Sequence, residues 1–363
     1  MADVVYLHLG APKTGTTYIQ DRLALNRPTL ARHDVRYPIG SNPDMFRPAL
    51  DLVERPWAGL QRDVEGEWDA LVRRAQRSKG SVIISHEILA GANREQVERA
   101  VTSLAPADIH IVVTARDIAR QVPAEWQERL KHRHVSSYRR FVRRVRRRPR
   151  SEQAQSFWQV QDLTRVLERW SRQLTPDHVH VVTVPQPGGP HDELWRRFCR
   201  AVGVDPAWAP LDSVRRNPSI GSAETVLLRR LNARLRKEGL QQADYAALVR
   251  QLIVHETLAA RTTADRITLP PNAYDWADEI ADRWHDWLVG SGVDVIGDLE
   301  DLRPVRPEPD APWKDPDRPR QRDVTDVTME ALVAMVMEAA RRTPPDEQLT
   351  ARVGKVARRL RER

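Results

Sequence analysis

Four short apolar runs, separated by segments with helical periodicity, constrain this chain more than any other feature. Val4–Leu9, Val82–Ser85, Ile109–Thr114 and Val179–Val184 are rich in Val and Ile and lack a polar-apolar alternation, so they read as strands buried on both faces. Between them, Tyr18–Leu25 reads as a helix, and Asn93 with Gln96 forms a capping box ahead of the apolar stripe Val97, Val101, Leu104. Val160, Leu163, Leu167, Trp170 and Leu174 repeat at helical spacing up to Pro176, and Leu194, Phe198 and Val202 mark a further helix closed by Gly203. Strands alternating with helices predict an α/β fold, a parallel sheet covered by helices on both faces.

The remainder sets the expected organisation. Residues 27–80 carry Pro28, Pro38, Pro43, Pro48 and Pro56 with weak periodicity, which predicts an irregular insertion over the sheet edge. Residues 220–300 read as helical, so one α/β domain is expected over 1–300. Six prolines between Asp301 and Arg320 predict an extended linker over 301–320. The helical tail, 321–363, has one amphipathic segment near Val327–Ala340 and another carrying Leu349, Val353, Val356 and Leu360.

Charge narrows the partners. Net charge is +8, and the stretch Arg139–Arg150 alone holds eight arginines and no acid. The basicity is therefore local and not a nucleic-acid-binding surface spread over the fold, which makes nucleic acid an unexpected partner; a solvated basic helix or loop, and a landing strip for an anionic substrate, a membrane surface or nucleic acid, both remain open. The single cysteine, Cys199, excludes an intrachain disulfide framework and a multi-cysteine zinc site. No apolar run reaches the ~18 residues that span a bilayer. Met1–Leu9 lacks the cationic head and cleavage site of a signal peptide, so the expectation is a cytoplasmic protein with no transmembrane segment. His132 and His134 have no acidic third ligand beside them, and no metal site is expected from the pair.

The first strand runs into Gly10-Ala11-Pro12-Lys13-Thr14-Gly15-Thr16-Thr17 and then a helix. Such a loop is an anion site: backbone N–H groups converge at the helix start and the helix dipole favours negative charge. Gly10 and Gly15 permit the tight backbone, Lys13 adds a point charge, and Thr16 and Thr17 offer hydroxyls. The nucleoside-triphosphate loop has its lysine immediately after the second glycine. Here Thr16 holds that place, and Lys13 precedes Gly15 by two residues. A nucleotide kinase or nucleotidase with a displaced lysine is the weaker reading, and a basic module for nucleic acid or an acidic surface is another.

Leu9 to Thr17 resembles the 5′-phosphosulfate loop of sulfotransferases that use 3′-phosphoadenosine 5′-phosphosulfate (PAPS), of the bacterial and carbohydrate type. The resemblance implies a P-loop-like sheet and metal-free transfer of a sulfuryl group from PAPS to a hydroxyl or amine of a small-molecule or carbohydrate acceptor. It makes Lys13 the group that stabilises the leaving phosphate, while Pro12, Thr14, Gly15, Thr16 and Thr17 form the loop around the 5′-phosphate. Arg116, just after the third core strand, takes the place of the arginine that binds the 3′-phosphate. The family's serine falls near Pro123 or Ala124, and Gln121 or Gln127 would stand in for it. Arg216, Asn217 and Ser219 resemble a loop closing over the nucleotide, though a turn and helix cap explain Asn217 and Ser219 equally. For Arg116 the competing role is an ion pair with Asp117 or a neighbour.

The acceptor must lose a proton, which calls for a base at the C-terminal end of a strand. Ser85-His86-Glu87 follows the second apolar run. Glu87 resembles the glutamate base of carbohydrate sulfotransferases and His86 the histidine base of cytosolic ones, with helix capping or a buried polar contact as the other role for each. His132, Arg133 and His134 are read either as a border of the acceptor pocket or as solvated surface.

Overall fold

The computed structural model describes residues 2–38, 42–54, 63–147, 152–214, 219–261, 265–308 and 310–342. Arg148, Arg150, Arg216, Asn217 and the tail segment from Leu349 to Leu360 lie outside the described residues. The chain forms two compact units, one of Met1–Glu128, Ser137–Asn217 and Thr268–Trp313, the other of Arg129–Ser136, Pro218–Ile267 and Lys314–Arg363.

The first unit is built on six strands: β1 (Val4–His8), β2 (Val35–Arg36), β3 (Ser81–Ser85), β4 (Asp108–Ala115), β5 (Val179–Thr183) and β6 (Asp294–Ile296). All pair in parallel in the order β2-β3-β1-β4-β5-β6. The four apolar runs are the four central strands, and the α/β class read from the sequence is the observed one. The helices are α1 (Thr16–Leu25), α2 (Arg27–Ala31), α3 (Asn42–Val53), α4 (Glu67–Gln76), α5 (Arg94–Leu104), α6 (Ile118–Lys131), α7 (Tyr138–Arg146), α8 (Glu152–Gln161), α9 (Leu163–Trp170) and α10 (Glu193–Ala201). The capping box of α5 is complete, with Asn93 Oδ1 and Gln96 Oε1 each accepting the other's backbone N–H at 2.9 Å. Leu7, Leu9, Ile83, Ile111, Val112 and Val181 are buried in the sheet, and Trp68, Trp126, Trp170 and Trp195 are among the largest fully buried side chains.

Two expectations are corrected. The described part of residues 27–80 is not irregular: it holds α2, the edge strand β2, α3 and α4, while Pro56 lies outside the described residues. Their prolines misled because Pro28 sits in the first turn of α2, where a missing N–H costs nothing, and Pro48 is tolerated inside α3. The partition at 301–320 is also different. The Pro-rich segment up to Trp313 belongs to the first unit, because its residues pack: Trp313 Nε1 donates to the Thr268 carbonyl at 3.4 Å and the Arg139 guanidinium lies over the Trp313 ring.

The second unit contains α11 (Ser222–Leu235), α12 (Gln242–Asp244) leading into a π-type stretch over Tyr245–Thr257, and α14 (Gln321–Arg341); α13 (Tyr274–Ser291) belongs to the first. Asn232 on α11 donates to the carbonyls of Leu130 and His134, and Tyr245 donates to Asn232 Oδ1 at 2.7 Å. Val324, Val327 and Ala331 form the buried stripe of α14. None of the described helices is long and apolar enough to cross a membrane.

A buried ionic clasp closes the first unit. The Asp301 carboxylate accepts from Thr183 Oγ1 at 2.9 Å and Gln186 N at 3.2 Å, and pairs with the Arg197 guanidinium. Asp301→Ala leaves Arg197 still paired with Glu193 Oε1 at 2.9 Å but orphans the Thr183 and Gln186 donors, and should lower the unfolding free energy by about 1–3 kcal/mol in urea melts. Arg197→Met/Asp301→Leu should recover part of that loss; equal stability of the Asp301→Ala and wild-type chains would contradict the clasp.

Candidate functional site

The sheet order reverses direction about β1, which neighbours both β3 and β4, and the carboxyl ends of strands at such a switch point form a ligand crevice. His8, the last residue of β1, stands opposite Ser85 and Val112. Leu9 N donates to the Val112 carbonyl at 2.9 Å and Ala11 N to the Thr114 carbonyl at 3.3 Å, so the loop starts by following β4. The register thus brings the loop, the His86-Glu87 pair after β3 and Arg116 after β4 to one edge of the sheet.

Within the loop, Gly10 has φ +38°, and a Cβ there would lie 2.5 Å from Thr16 Oγ1 and 3.1 Å from Thr114 Oγ1. Only glycine fits. Gly15, at φ +89°, precedes α1 without a side-chain cap. Helix geometry leaves the N–H groups of Thr16, Thr17 and Tyr18 without intrahelical acceptors, facing out of the helix start. Thr14 Oγ1 donates to the Ala11 carbonyl and lies 2.6 Å from Thr114 Oγ1, fixing the turn from within. Thr16 Oγ1 is buried and has no hydrogen-bond partner among the described residues. That is an anomaly to be explained, since buried hydroxyls are ordinarily bonded.

Lys13 is a non-glycine residue at φ +72°, a conformation that costs on the order of 1–2 kcal/mol. Contacts on both its backbone and its side chain hold it there. Arg116 Nη1 donates to the Lys13 carbonyl at 3.0 Å, and Lys13 Nζ pairs with Glu128 Oε2 of α6 at 2.7 Å. Gln161 Nε2 reaches the Pro12 carbonyl at 3.1 Å, while Gln161 Oε1 is buried with no hydrogen-bond partner among the described residues. Asp117 pairs with Arg120, whose guanidinium also donates to the Val184 and Pro185 carbonyls. Gln121 is buried on α6, its Oε1 without a hydrogen-bond partner among the described residues, and Gln127 is buried too.

His86 is buried, and its Nδ1 accepts the Ile88 N–H at 3.1 Å, capping the short 3-10 turn Glu87–Gly91. Burial lowers its pKa, with the Glu87 carboxylate opposing. The Glu87 side chain is 30% exposed, 3.8 Å from His86 Nδ1, and accepts a long hydrogen bond from Gln20 Nε2 of α1 at 3.5 Å. Gln20 Nε2 also donates to the Ser85 carbonyl at 2.9 Å, so α1 carries both the loop at its start and a tether to Glu87 in its middle.

His8 is a site residue that sequence reasoning missed. Its Nδ1 shares a hydrogen bond with Ser85 Oγ at 2.7 Å, and its Nε2 lies 3.3 Å from Thr114 Oγ1. Complete burial pushes its pKa down to about 3, so it is neutral and supports the loop from below. Thr114, Glu128 and Gln161 were missed as well. A polar residue interrupting an apolar strand, as His8 and Thr114 do, was the available signal; Glu128 and Gln161 carry none.

Other expected residues fall elsewhere. Ser219 belongs to the second unit and is exposed. His132, Arg133 and His134 also belong to that unit. There Arg133 donates to the Leu240 carbonyl at 2.6 Å and stacks over Tyr245, and burial, with Arg129 and His132 nearby, takes the His134 pKa down to about 4. Of the arginine run, α7 buries Tyr138, Phe141, Val142 and Val145 and exposes Arg140, Arg143 and Arg146, which is a solvated basic face on a helix anchored by its apolar side.

No family model and no curated protein matches the chain. A crystal structure of a sulfotransferase from Alicyclobacillus acidocaldarius is similar at 18% identity, covering 67% of this chain and 94% of that one, with a TM-score of 0.40.

The neutral His8 has a consequence for stability. Its folded pKa lies below the unfolded value near 6.5, so the unfolded chain takes up the proton first as pH falls. The contribution is complete above pH ~6.5 and is lost toward pH 3, at roughly 1.4 kcal/mol per pH unit for one proton. Urea melts between pH 7 and 5 should show this slope, steepened by His86, His110 and His134, whose pKa values burial also lowers, and His8→Asn should remove one proton's share; an unchanged slope in that variant counts against it.

Proposed function

We propose that this chain transfers a sulfuryl group from PAPS to a hydroxyl or amine of a small-molecule or carbohydrate acceptor. The observation that carries the reading is the helix start after β1. An uncapped α1, a buried Thr16 hydroxyl without a hydrogen-bond partner among the described residues and a lysine held in the loop together fit a tetrahedral anion. The order of residues in Leu9–Thr17, similar to the phosphosulfate loop, selects PAPS over a triphosphate.

When bound, the donor supplies an activated sulfuryl group and a phosphate leaving group. Thr16, Thr17 and the first N–H groups of α1 would hold the 5′-phosphate, the Thr16 hydroxyl thereby gaining a partner. Lys13 would exchange Glu128 for the leaving-group oxygen and neutralise the charge that develops there. Arg116, which steadies the Lys13 carbonyl through one guanidinium nitrogen, is the donor assigned to the 3′-phosphate, and Gln121 takes the place of the family's serine. Arg216, Asn217 and Ser219 enter only through the resemblance.

Glu87 is the base we favour over His86. His86 Nδ1 is committed to the Ile88 N–H, whereas the Glu87 carboxylate is partly exposed at the end of β3 and tethered to α1 through Gln20. It would take the acceptor's proton as the new S–O or S–N bond forms and the bond to the phosphate oxygen breaks. Positioning and charge stabilisation supply the remaining catalysis.

Calorimetric titration should show binding of 3′-phosphoadenosine 5′-phosphate and none of comparable strength for ATP with Mg²⁺; the opposite order would overturn the reading in favour of a nucleotide kinase. With an acceptor in hand, Lys13→Ala should reduce kcat by ~10²–10³-fold with the fold intact by circular dichroism. Glu87→Gln should reduce it by ~10²–10⁴-fold while leaving nucleotide affinity unchanged. Wild-type turnover in Glu87→Gln would exclude Glu87 as the base.

A further inference from the structure

The opposite edge of the sheet carries a second concentration of chemistry. Asp108 opens β4 and His110 lies two residues on; His178 immediately precedes β5, His180 is its second residue, and Asp294 opens β6. Parallel pairing gathers these strand starts on the edge remote from the loop. Asp108 Oδ1 is 2.8 Å from His178 Nε2 and Asp108 Oδ2 is 3.2 Å from His110 Nε2. The His110 and His178 rings lie 4.5 Å apart. One ligand atom from each of Asp108, His110 and His178 falls within 4.8 Å of the other two.

We propose that Asp108, His110 Nε2 and His178 Nε2 bind a divalent transition ion of the Zn²⁺ class, with solvent completing its coordination. A tetrahedral ion at ~2.0–2.1 Å from each donor sets ligand separations of roughly 3.3 Å. The contacts to His178 and His110, 2.8 and 3.2 Å, run to different oxygens of Asp108, and the two rings are stacked, so a shared ion requires the Asp108 carboxylate and the His178 ring to turn toward it. Imidazole and carboxylate are donors suited to this class of ion.

The surroundings are those a metal-binding histidine requires. Such a ring needs its other nitrogen held by a partner, and both rings have one. His178 Nδ1 lies 2.8 Å from Thr175 Oγ1 and 3.3 Å from Asp177 Oδ1. His110 Nδ1 lies 2.9 Å from His180 Nε2, and His180 Nδ1 lies 2.8 Å from Asp294 Oδ2. With both Nε2 atoms on the metal, every ring is neutral with its proton on Nδ1. His110 then donates to His180, His180 to Asp294 and His178 to Asp177 or Thr175, with no clash of donors. The ion would clasp the start of β4 to the turn entering β5, a role separate from catalysis at the loop.

The test is titration of the full chain, stripped with chelator, with Zn²⁺ by calorimetry and with Co²⁺ by visible absorption. One saturable site per chain is expected, with the bands of low-coordinate Co²⁺. Asp108→Asn and His178→Gln should each abolish that site or weaken it by at least tenfold, and His180→Gln should weaken it by ~10–100-fold through His110. Absence of 1:1 binding overturns the proposal, as does binding that survives Asp108→Asn/His178→Gln or is lost only when His132 and His134 are replaced. Should a variant fail to fold, the wild-type chain still decides. Zn²⁺ must protect His110 and His178 from diethylpyrocarbonate while the exposed His191 reacts as before, and equal reactivity with and without Zn²⁺ refutes the site.

Discussion

The parallel pairing of β1 with both β3 and β4 is the constraint on which the candidate site depends. Because His8 faces Ser85 on one side and Val112 on the other, the three chain segments leaving those strands emerge side by side. The loop after β1 continues hydrogen bonding to β4 for two more N–H groups before it turns into α1. A one-residue slip would exchange the two faces of a strand. It would also place the His8 ring, which fits between Ser85 and Thr114, on the wrong side of the sheet.

Beneath the loop, the polar groups form a chain. Ser85, His8, Thr114 and Thr14 are linked by successive short contacts and end on the Ala11 carbonyl. Every member is buried, and a buried polar chain rigidifies its surroundings only when its groups are satisfied. Two other buried atoms of the loop region differ: Thr16 Oγ1 and Gln161 Oε1 lack hydrogen-bond partners among the described residues. Each buried group without a partner calls for an explanation, and a bound anion is the one proposed above for Thr16.

Much of this was legible in the sequence because it was local. Apolar runs of strand length, the capping box at Asn93 and the glycines around Lys13 each announce themselves within a few residues. What escaped was non-local or short. Strand β6 has three residues, too few for a pattern, and β2 has two. Glu128 meets Lys13 across 115 positions, and Gln161 meets Pro12 across 149, distances over which no periodicity speaks. The Asp108-His110-His178 cluster is hidden in the same way, since parallel strands place residues together whose sequence neighbours say nothing of it. Pro28 and Pro48 failed as signals for a different reason: proline stands in the first turn of a helix, or inside one, as well as at a break.

The contact between Lys13 and Glu128 changes how ionic conditions act on the loop. Any anion that binds there takes an ammonium already neutralised, so one ion pair is traded for another and the number of compensated charges is conserved. Screening then weakens the resident and the incoming partner alike. Discrimination at this lysine consequently falls to shape and directional donors, with bulk attraction contributing little.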